Sequence, residues 1–422
     1  MLRVTTADGG ELVVMNDRYL KELKSLPDTM LSAEIAVNEN MVAKYSHIMT
    51  LNAIGLNTIR ADLTPGLPRL MPSIASEARY SVRKYFPLDA EDWVEINAFQ
   101  AILNSVAQVS ARLFVGEDLC RDEEWLKVAA ETAMAAFNTT YAMKKWSKWL
   151  HPFVFRFVPE YQTLQKVRTK GEAILKRHAA ASHKEKKGEE EEDYLMTWIS
   201  KKRPGFATDF AAQADLQLQF TVAAIHTTTM AMAHMLYDLA AHPEYTPILR
   251  EEIKASLEAT GGEYNRDCIA KMAKVDSFMK ESQRLHPPSL TTFMRAVIKD
   301  ITLSDGTTIP KGVMIAVDAS ARYRDPQTWE NPNQFDGLRF LRLREQTQEK
   351  SNYQFVTSNT DNVAWGQGKH ACPGIFFAGN EIKTIFAMFL LEYDISFPKG
   401  IQRPADNFEG SFVSTLHTWL HI

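Results

Sequence analysis

One helical period runs unbroken from Thr208 to Ala241 and stops at His242-Pro243. At about 1.5 Å per residue such a helix is roughly 50 Å long, enough to cross a large domain. Phe210, Leu216, Leu218, Phe220, Val222, Ile225, Met230, Met232, Met235, Leu236 and Leu239 leave it apolar on most sides. A helix with so little polar surface is stable only when other elements enclose it. A chain of 422 residues with 45% hydrophobic content can supply them, which excludes disorder for most of its length. By length alone two or three domains are expected. No internal repeat and no clear linker divides the sequence, so one large, mainly α domain over residues 1–422 is the better expectation.

The enclosing elements read as follows. Leu2–Thr5 and Glu11–Met15 flank the hairpin signal Asp8-Gly9-Gly10. Thr64 is a good N-cap with Pro65 at the first helical position, and Leu67, Leu70, Met71, Ile74, Ala78 and Val82 follow at helical spacing. Helices are expected over roughly 92–115, 122–148 and 266–285. His151 to Pro159 is aromatic and bounded by prolines, a loop or short helix expected to lie over something apolar. The charge run from Lys184 to Asp193 reads as a solvated loop. Beyond Pro288 the texture changes to short strands, Phe293–Ile298, Ile301–Leu303, Thr307–Ile309 and Val313–Val317, with a turn at Ser304-Asp305-Gly306. This small sheet region precedes an irregular stretch and a last apolar helix from about Pro373.

Charge and cysteine usage narrow the function. Lys+Arg 48 against Asp+Glu 52 argues against a nucleic-acid binder held by general basicity. Three scattered cysteines, Cys120, Cys268 and Cys372, make neither a disulfide framework nor a four-cysteine zinc site. No apolar run is long enough to span a bilayer. Of the cysteines, Cys372 stands out. It lies in Trp365-Gly366-Gln367-Gly368-Lys369-His370-Ala371-Cys372-Pro373-Gly374, where glycines permit tight turns and close backbone approach. Its place at a helix start beside Lys369 and His370 is an electropositive setting that favours thiolate. An inert buried cysteine is the plainer alternative. A cysteine hydrolase would need a base from distant sequence.

This ten-residue string resembles the haem-binding loop of the cytochrome P450 superfamily: an aromatic residue, a glycine three positions on, then the cysteine and a glycine two beyond it. Trp365 stands where that family usually has Phe. The resemblance implies haem (heme b) with Cys372 as the axial thiolate to iron, and Trp365, Gly366 and Gly374 around it. An anionic sulfur pushes electron density onto iron and favours O–O cleavage. Glu281 and Arg284 have the spacing of an ion pair on one helix face. They match the family's ExxR helix, and Arg339 in Phe335-Asp336-Gly337-Leu338-Arg339-Phe340 resembles the arginine completing its structural network. Ala223-Ala224-Ile225-His226-Thr227-Thr228 falls where the family has its oxygen-activation helix. By that resemblance Thr227 serves proton relay at the distal haem face. His226 replaces the usual acid there and can also relay protons. A bond from Thr227 back to a carbonyl four residues earlier is the plain alternative. His-Thr-Thr at this point is similar to a fungal, kaurene-oxidase-like branch.

The haem propionates need cations. The resemblance offers Arg295 and His370, while the family's Trp-xxx-Arg is absent after Pro65 and Arg60 is a weak substitute. Leu290, Thr292, Phe293, Ile225 and Phe412 are expected to line the pocket by position in the family. The implied activity is haem-thiolate monooxygenation: NADPH–cytochrome P450 reductase supplies electrons, and one atom of O2 enters an apolar small molecule such as a terpenoid, polyketide or alkaloid of secondary metabolism. The alternative is a haem-binding protein of the same fold without turnover. Eukaryotic members carry a membrane anchor and a Pro-rich hinge before the first strand. The sequence opens at that strand, so the expected setting is the cytoplasmic face of the endoplasmic reticulum membrane, with anchor and hinge outside residues 1–422.

Overall fold

The computed structural model describes residues 1–6, 10–48, 53–87, 92–185, 193–409, 412–414 and 419–422. The long helix spans Phe210–Ala241, capped by the Asp209 side chain, which accepts from the Ala212 amide. It packs against Ala98–Val115, Glu123–Lys144, Pro159–Glu185 and Ala273–Leu285. Leu216, Leu218, Phe220, Ile225, Met232, Met235, Leu236 and Leu239 of this helix are all buried. Burying a side chain of this size contributes about 1.5–3 kcal/mol, so enclosure stabilises what an isolated apolar helix could not. The C-terminal helix, Ile375–Glu392, shares the same core through Ile382, Ile385, Phe386 and Phe389.

A five-stranded sheet stands to one side in the order Leu2–Thr5, Glu11–Met15, Met314–Asp318, Thr291–Val297, Leu31–Ser32. The first two strands pair antiparallel with Leu2 opposite Val14, as the hairpin signal implies. The turn residues Asp8 and Gly9 lie outside the described residues, as does most of the charge run 184–193. The third strand runs parallel to the second, with Leu12 opposite Met314. Its own core holds Met15, Leu23, Phe293, Val297, Ile315, Val317 and Tyr323.

Three departures from the sequence reading matter for the site. Thr64 does not start a helix. Helical backbone begins at Ala53 and passes through a π-helical segment, Ile59–Leu63, into Thr64–Tyr85. The Thr64 amide reaches back five residues to the Ile59 carbonyl. Pro65, which has no N–H, therefore sits inside a continuous run, where the wider turn accommodates it. The segment expected to be helical over 266–285 is two helices, Arg266–Lys271 and Ala273–Leu285, parted at Met272. The segment around 151–159 is a short helix and a 3-10 turn over Tyr45, Met143 and Val158, but Phe153 and Phe157 point to solvent.

Candidate active site

The long helix and the C-terminal helix flank an apolar cavity. Ile59, Leu63, Phe114, Phe220, Ala223, Ala224, Thr227 and Ala231 line it, with Trp365, Cys372, Gly374 and Phe377 on the cysteine-loop side. Of the chain's three cysteines only Cys372 is on this wall, while Cys120 and Cys268 are buried elsewhere.

The loop's shape follows from its glycines. Gly366 and Gly368 adopt φ +74° and +67°, and a Cβ on Gly366 would meet the Ala371 backbone at 3.4 Å. The turn closes with the Cys372 amide donating to the Trp365 carbonyl at 2.7 Å. Trp365 is held by its indole N–H, which donates to the Phe355 carbonyl at 2.8 Å. Burial pushes the Cys372 thiol up, opposed by a hydrogen bond from the Gly374 backbone N–H. The expected help from Lys369 and His370 does not arise. Lys369 Nζ lies 2.9 Å and His370 Nε2 2.8 Å from the Asp28 carboxylate. Burial raises that carboxyl, but these two partners outweigh it and hold it below the usual range.

Behind the loop, Glu281 is fully buried and accepts from Arg284 Nε and Nη2, both at 2.8 Å. Arg339 Nε adds contacts of 3.1 and 3.2 Å to the same carboxylate. Arg284 Nη1 also donates to the Tyr323 and Pro332 carbonyls at 2.7 Å. No sequence spacing marks the connection onward. Tyr323 Oη donates to Asn362 Oδ1 at 3.1 Å and accepts the Val363 amide at 3.0 Å. The Val363 carbonyl accepts the Gly366 amide at 3.0 Å, so the ion cluster is tied to the cysteine loop.

Thr227 lines the cavity, and its Oγ1 donates to the Ala223 carbonyl at 2.7 Å. His226 does not join it. It is not among the residues that line the cavity. Its ring turns to the backbone of Ala130, burial holds its pKa down, and Nε2 has no partner among the described residues.

Arg295 lies in a strand whose pairing shifts between Thr292 and Arg295, with Phe293 at φ +55°. Its guanidinium sits 3.9 Å from the Phe293 ring centroid and donates to the Met294 carbonyl at 2.8 Å. Burial pushes its pKa down to about 10, with the Asp28 charge opposing. Arg60, in the π-helical segment, donates to the Lys369 carbonyl at 2.9 Å. The family position after Pro65 has no such arginine, and the fold brings in Arg60 from before it. Lys369 and His370 pair with the Asp28 carboxylate, whose charge also reaches Arg295, and Arg60 joins them through the Lys369 carbonyl. An excess of cations, one a desolvated guanidinium, suits a ligand carrying two carboxylates, as haem does. Together with a cysteine on an apolar wall, the residues present fit that group.

The residues expected to line the pocket are placed otherwise. Ile225 and Phe293 are buried in packing, and Thr292 Oγ1 donates to the Val363 carbonyl at 3.0 Å. Neither these three nor Leu290 lines the cavity, and the Phe412 side chain lies outside the described residues. A bend in the strand and the 3.6-residue period of the helix aim them elsewhere.

Comparison with known proteins bears on the same residues. The family described as Cytochrome P450 matches residues 37–418. A cytochrome P450 monooxygenase of Emericella nidulans, AN1598, is 38% identical over 96% of this chain and 76% of its own. The monooxygenase olcJ of Penicillium canescens is 39% identical over 93% of this chain and 75% of its own. An ent-kaurene oxidase of Fusarium fujikuroi is 33% identical over 94% and 75%. Among solved structures, the retinoic acid-bound cyanobacterial CYP120A1 superposes with a TM-score of 0.73 at 18% identity, covering 98% of this chain and 89% of that one. That likeness speaks for the fold.

Proposed function

The chain belongs to the cytochrome P450 family, and from that premise we propose that it inserts one atom of O2 into an apolar small molecule, with electrons from NADPH through a flavoprotein reductase. Membership makes it a monooxygenase that holds haem through a cysteine thiolate and uses O2 on a small-molecule substrate. The observation that carries the finer reading is the single apolar cavity walled by both Cys372 and Thr227. Haem, when bound, supplies oxygen activation at its iron.

The chain's own groups do the rest. Cys372 is the thiolate donor, with the Gly374 N–H directed at its sulfur. Arg60, Arg295, Lys369 and His370 would hold the propionates. Thr227 directs its hydroxyl proton to the Ala223 carbonyl, which leaves the oxygen lone pairs free to accept a hydrogen bond from a donor in the cavity. The lining, mostly carbon, excludes water and favours a terpenoid, polyketide or alkaloid. The fungal relatives favour a place in secondary metabolism.

The body belongs on a membrane, at the cytoplasmic face of the endoplasmic reticulum. No described helix is long and apolar enough to cross a bilayer. Trp146, Trp149, Phe153 and Phe157 are nevertheless 46%, 71%, 70% and 81% exposed on one segment. Exposed Lys145, Lys148 and Arg156 lie among them. Aromatic rings interleaved with cations suit an anionic lipid interface.

The test is the reduced, CO-treated spectrum of the haem-loaded protein. A thiolate-type Soret band, lost in Cys372→Ser, is expected, and its absence in the wild type would overturn the assignment. Reductase-driven NADPH oxidation that rises on adding substrate separates turnover from haem binding alone.

A further inference from the structure

Behind the cavity wall the core turns polar at one point. Phe114 and Phe377 line the cavity and pack ring to ring, with centroids 5.7 Å apart. Ser110 lies one helical turn before Phe114, and Glu381 one turn after Phe377. Ser110 Oγ donates to Glu381 Oε1 at 2.7 Å, which sets the carboxyl one turn, about 6 Å, behind the aromatic pair. Glu381 and Thr384, three positions on along the same face, are both fully buried. Glu381 Oε2 and Thr384 Oγ1 have no partner among the described residues.

Charged side chains on the helices packed around Glu381 pair elsewhere: Glu77 with Arg121, Arg112 with Glu117, Asp238 with Arg403, Arg250 with Asp394, and Asp276 with Lys383. Glu252 accepts the Lys274 and Val275 amides. None of these charges shifts Glu381. Burial pushes its carboxyl up to about 8, opposed only by the Ser110 bond. It is therefore a group that changes charge near neutral pH, in surroundings where a nearby charge is weakly screened.

We propose that Glu381 is a proton acceptor coupled to the electron that the bound haem receives. An electron added one aromatic layer away disfavours the carboxylate and favours the neutral acid. Glu381 then takes one proton from solvent. An O–H bond forms on its carboxylate while iron passes from ferric to ferrous on one electron from the reductase, so the added negative charge is cancelled. A purely structural Glu381, serving only as the acceptor for Ser110, has no such link. The proposal rests on reading the cavity as the seat of haem.

The test is the midpoint potential of the haem-loaded protein against pH, read spectroscopically with redox dyes. The wild-type potential is expected to be level below about pH 7 and to fall above about pH 8. The fall should not exceed about 59 mV for each tenfold drop in proton concentration, the limit for one proton per electron. Glu381→Gln cannot take the proton and should keep at pH 9 the potential it has at pH 7. Ser110→Ala removes the bond that favours the charged carboxylate, so the fall should begin at higher pH. Reduced-minus-oxidised infrared spectra at pH 9 should show a protonated carboxyl band in the wild type and none in Glu381→Gln. A level potential in the wild type, or the same fall in Glu381→Gln, overturns the coupling alone. If the reduced, CO-treated wild type lacks the thiolate-type Soret band, the haem reading fails and the coupling falls with it.

Discussion

Cys372 stands within three residues of two cations and gains nothing from them, because both turn to Asp28. Side-chain direction, not sequence distance, decides which charge a group feels. His226 and Thr227 make the same point on the long helix. Thr227→Val removes only the hydroxyl, so the CO spectrum should persist while product formed per NADPH falls at least about tenfold, as loss of a hydroxyl positioned for proton relay predicts. His226→Leu should leave that ratio within about twofold, and a loss as large as that of Thr227→Val would restore His226 to the relay. Glu381 offers a pH test. It is fully buried, Ser110 Oγ donates to Oε1 at 2.7 Å, and Oε2 has no partner among the described residues. Burial pushes its carboxyl up to about 8, against the opposing Ser110 bond. The folded pKa thus lies above the unfolded value of about 4.3. The neutral acid favours the fold, so its contribution is full below about 4.3 and is lost as pH rises through about 8. Glu381→Gln cannot ionise and should raise Tm more at pH 8 than at pH 5, and equal gains at both would refute the assignment.

Elements act here as brackets for irregular chain. The Ala273–Leu285 helix presents Arg284 to the backbone carbonyls of Tyr323, Pro332 and Gln334, while Glu281 accepts the Asp336 amide. Removing the carboxylate leaves two buried guanidinium groups uncompensated. Glu281→Ala should therefore cost about 3–5 kcal/mol and abolish haem uptake, measured by unfolding and by pyridine haemochromogen content. Tyr323→Phe cuts only the link from that bracket to the cysteine loop, at about 0.5–1.5 kcal/mol for each hydrogen bond lost. It should keep the CO spectrum but release haem faster. The spacing of Glu281, Arg284 and Arg339 and the loop's glycines were legible in the sequence, since each rests on local geometry. The π-helical turn at Ile59–Leu63 was not, because nothing local distinguishes it from an ordinary helix ended by Pro65. That turn is what puts Arg60 against Lys369.

At the scale of the molecule, the apolar cavity and the exposed aromatic segment are separate features with separate tests. Trp149→Ala with Phe157→Ala should cut co-sedimentation with anionic vesicles severalfold while leaving the CO spectrum unchanged, and undiminished binding would remove this segment from the membrane face. The sequence alone determined the long central helix, because an apolar stripe on every side and the His242-Pro243 stop are local facts. It likewise determined the cysteine loop and the order of the motifs around it. Only the tertiary structure decided which side chains share the cavity. His234, His286, Arg403 and Asp406 come from three distant segments and meet as one network. His226, beside Thr227 in sequence, is turned away from it. Backbone propensity and turn chemistry are set by neighbours a few residues apart. Where a side chain points, and whether its polar atoms find partners, is set by what packs against it from elsewhere in the chain.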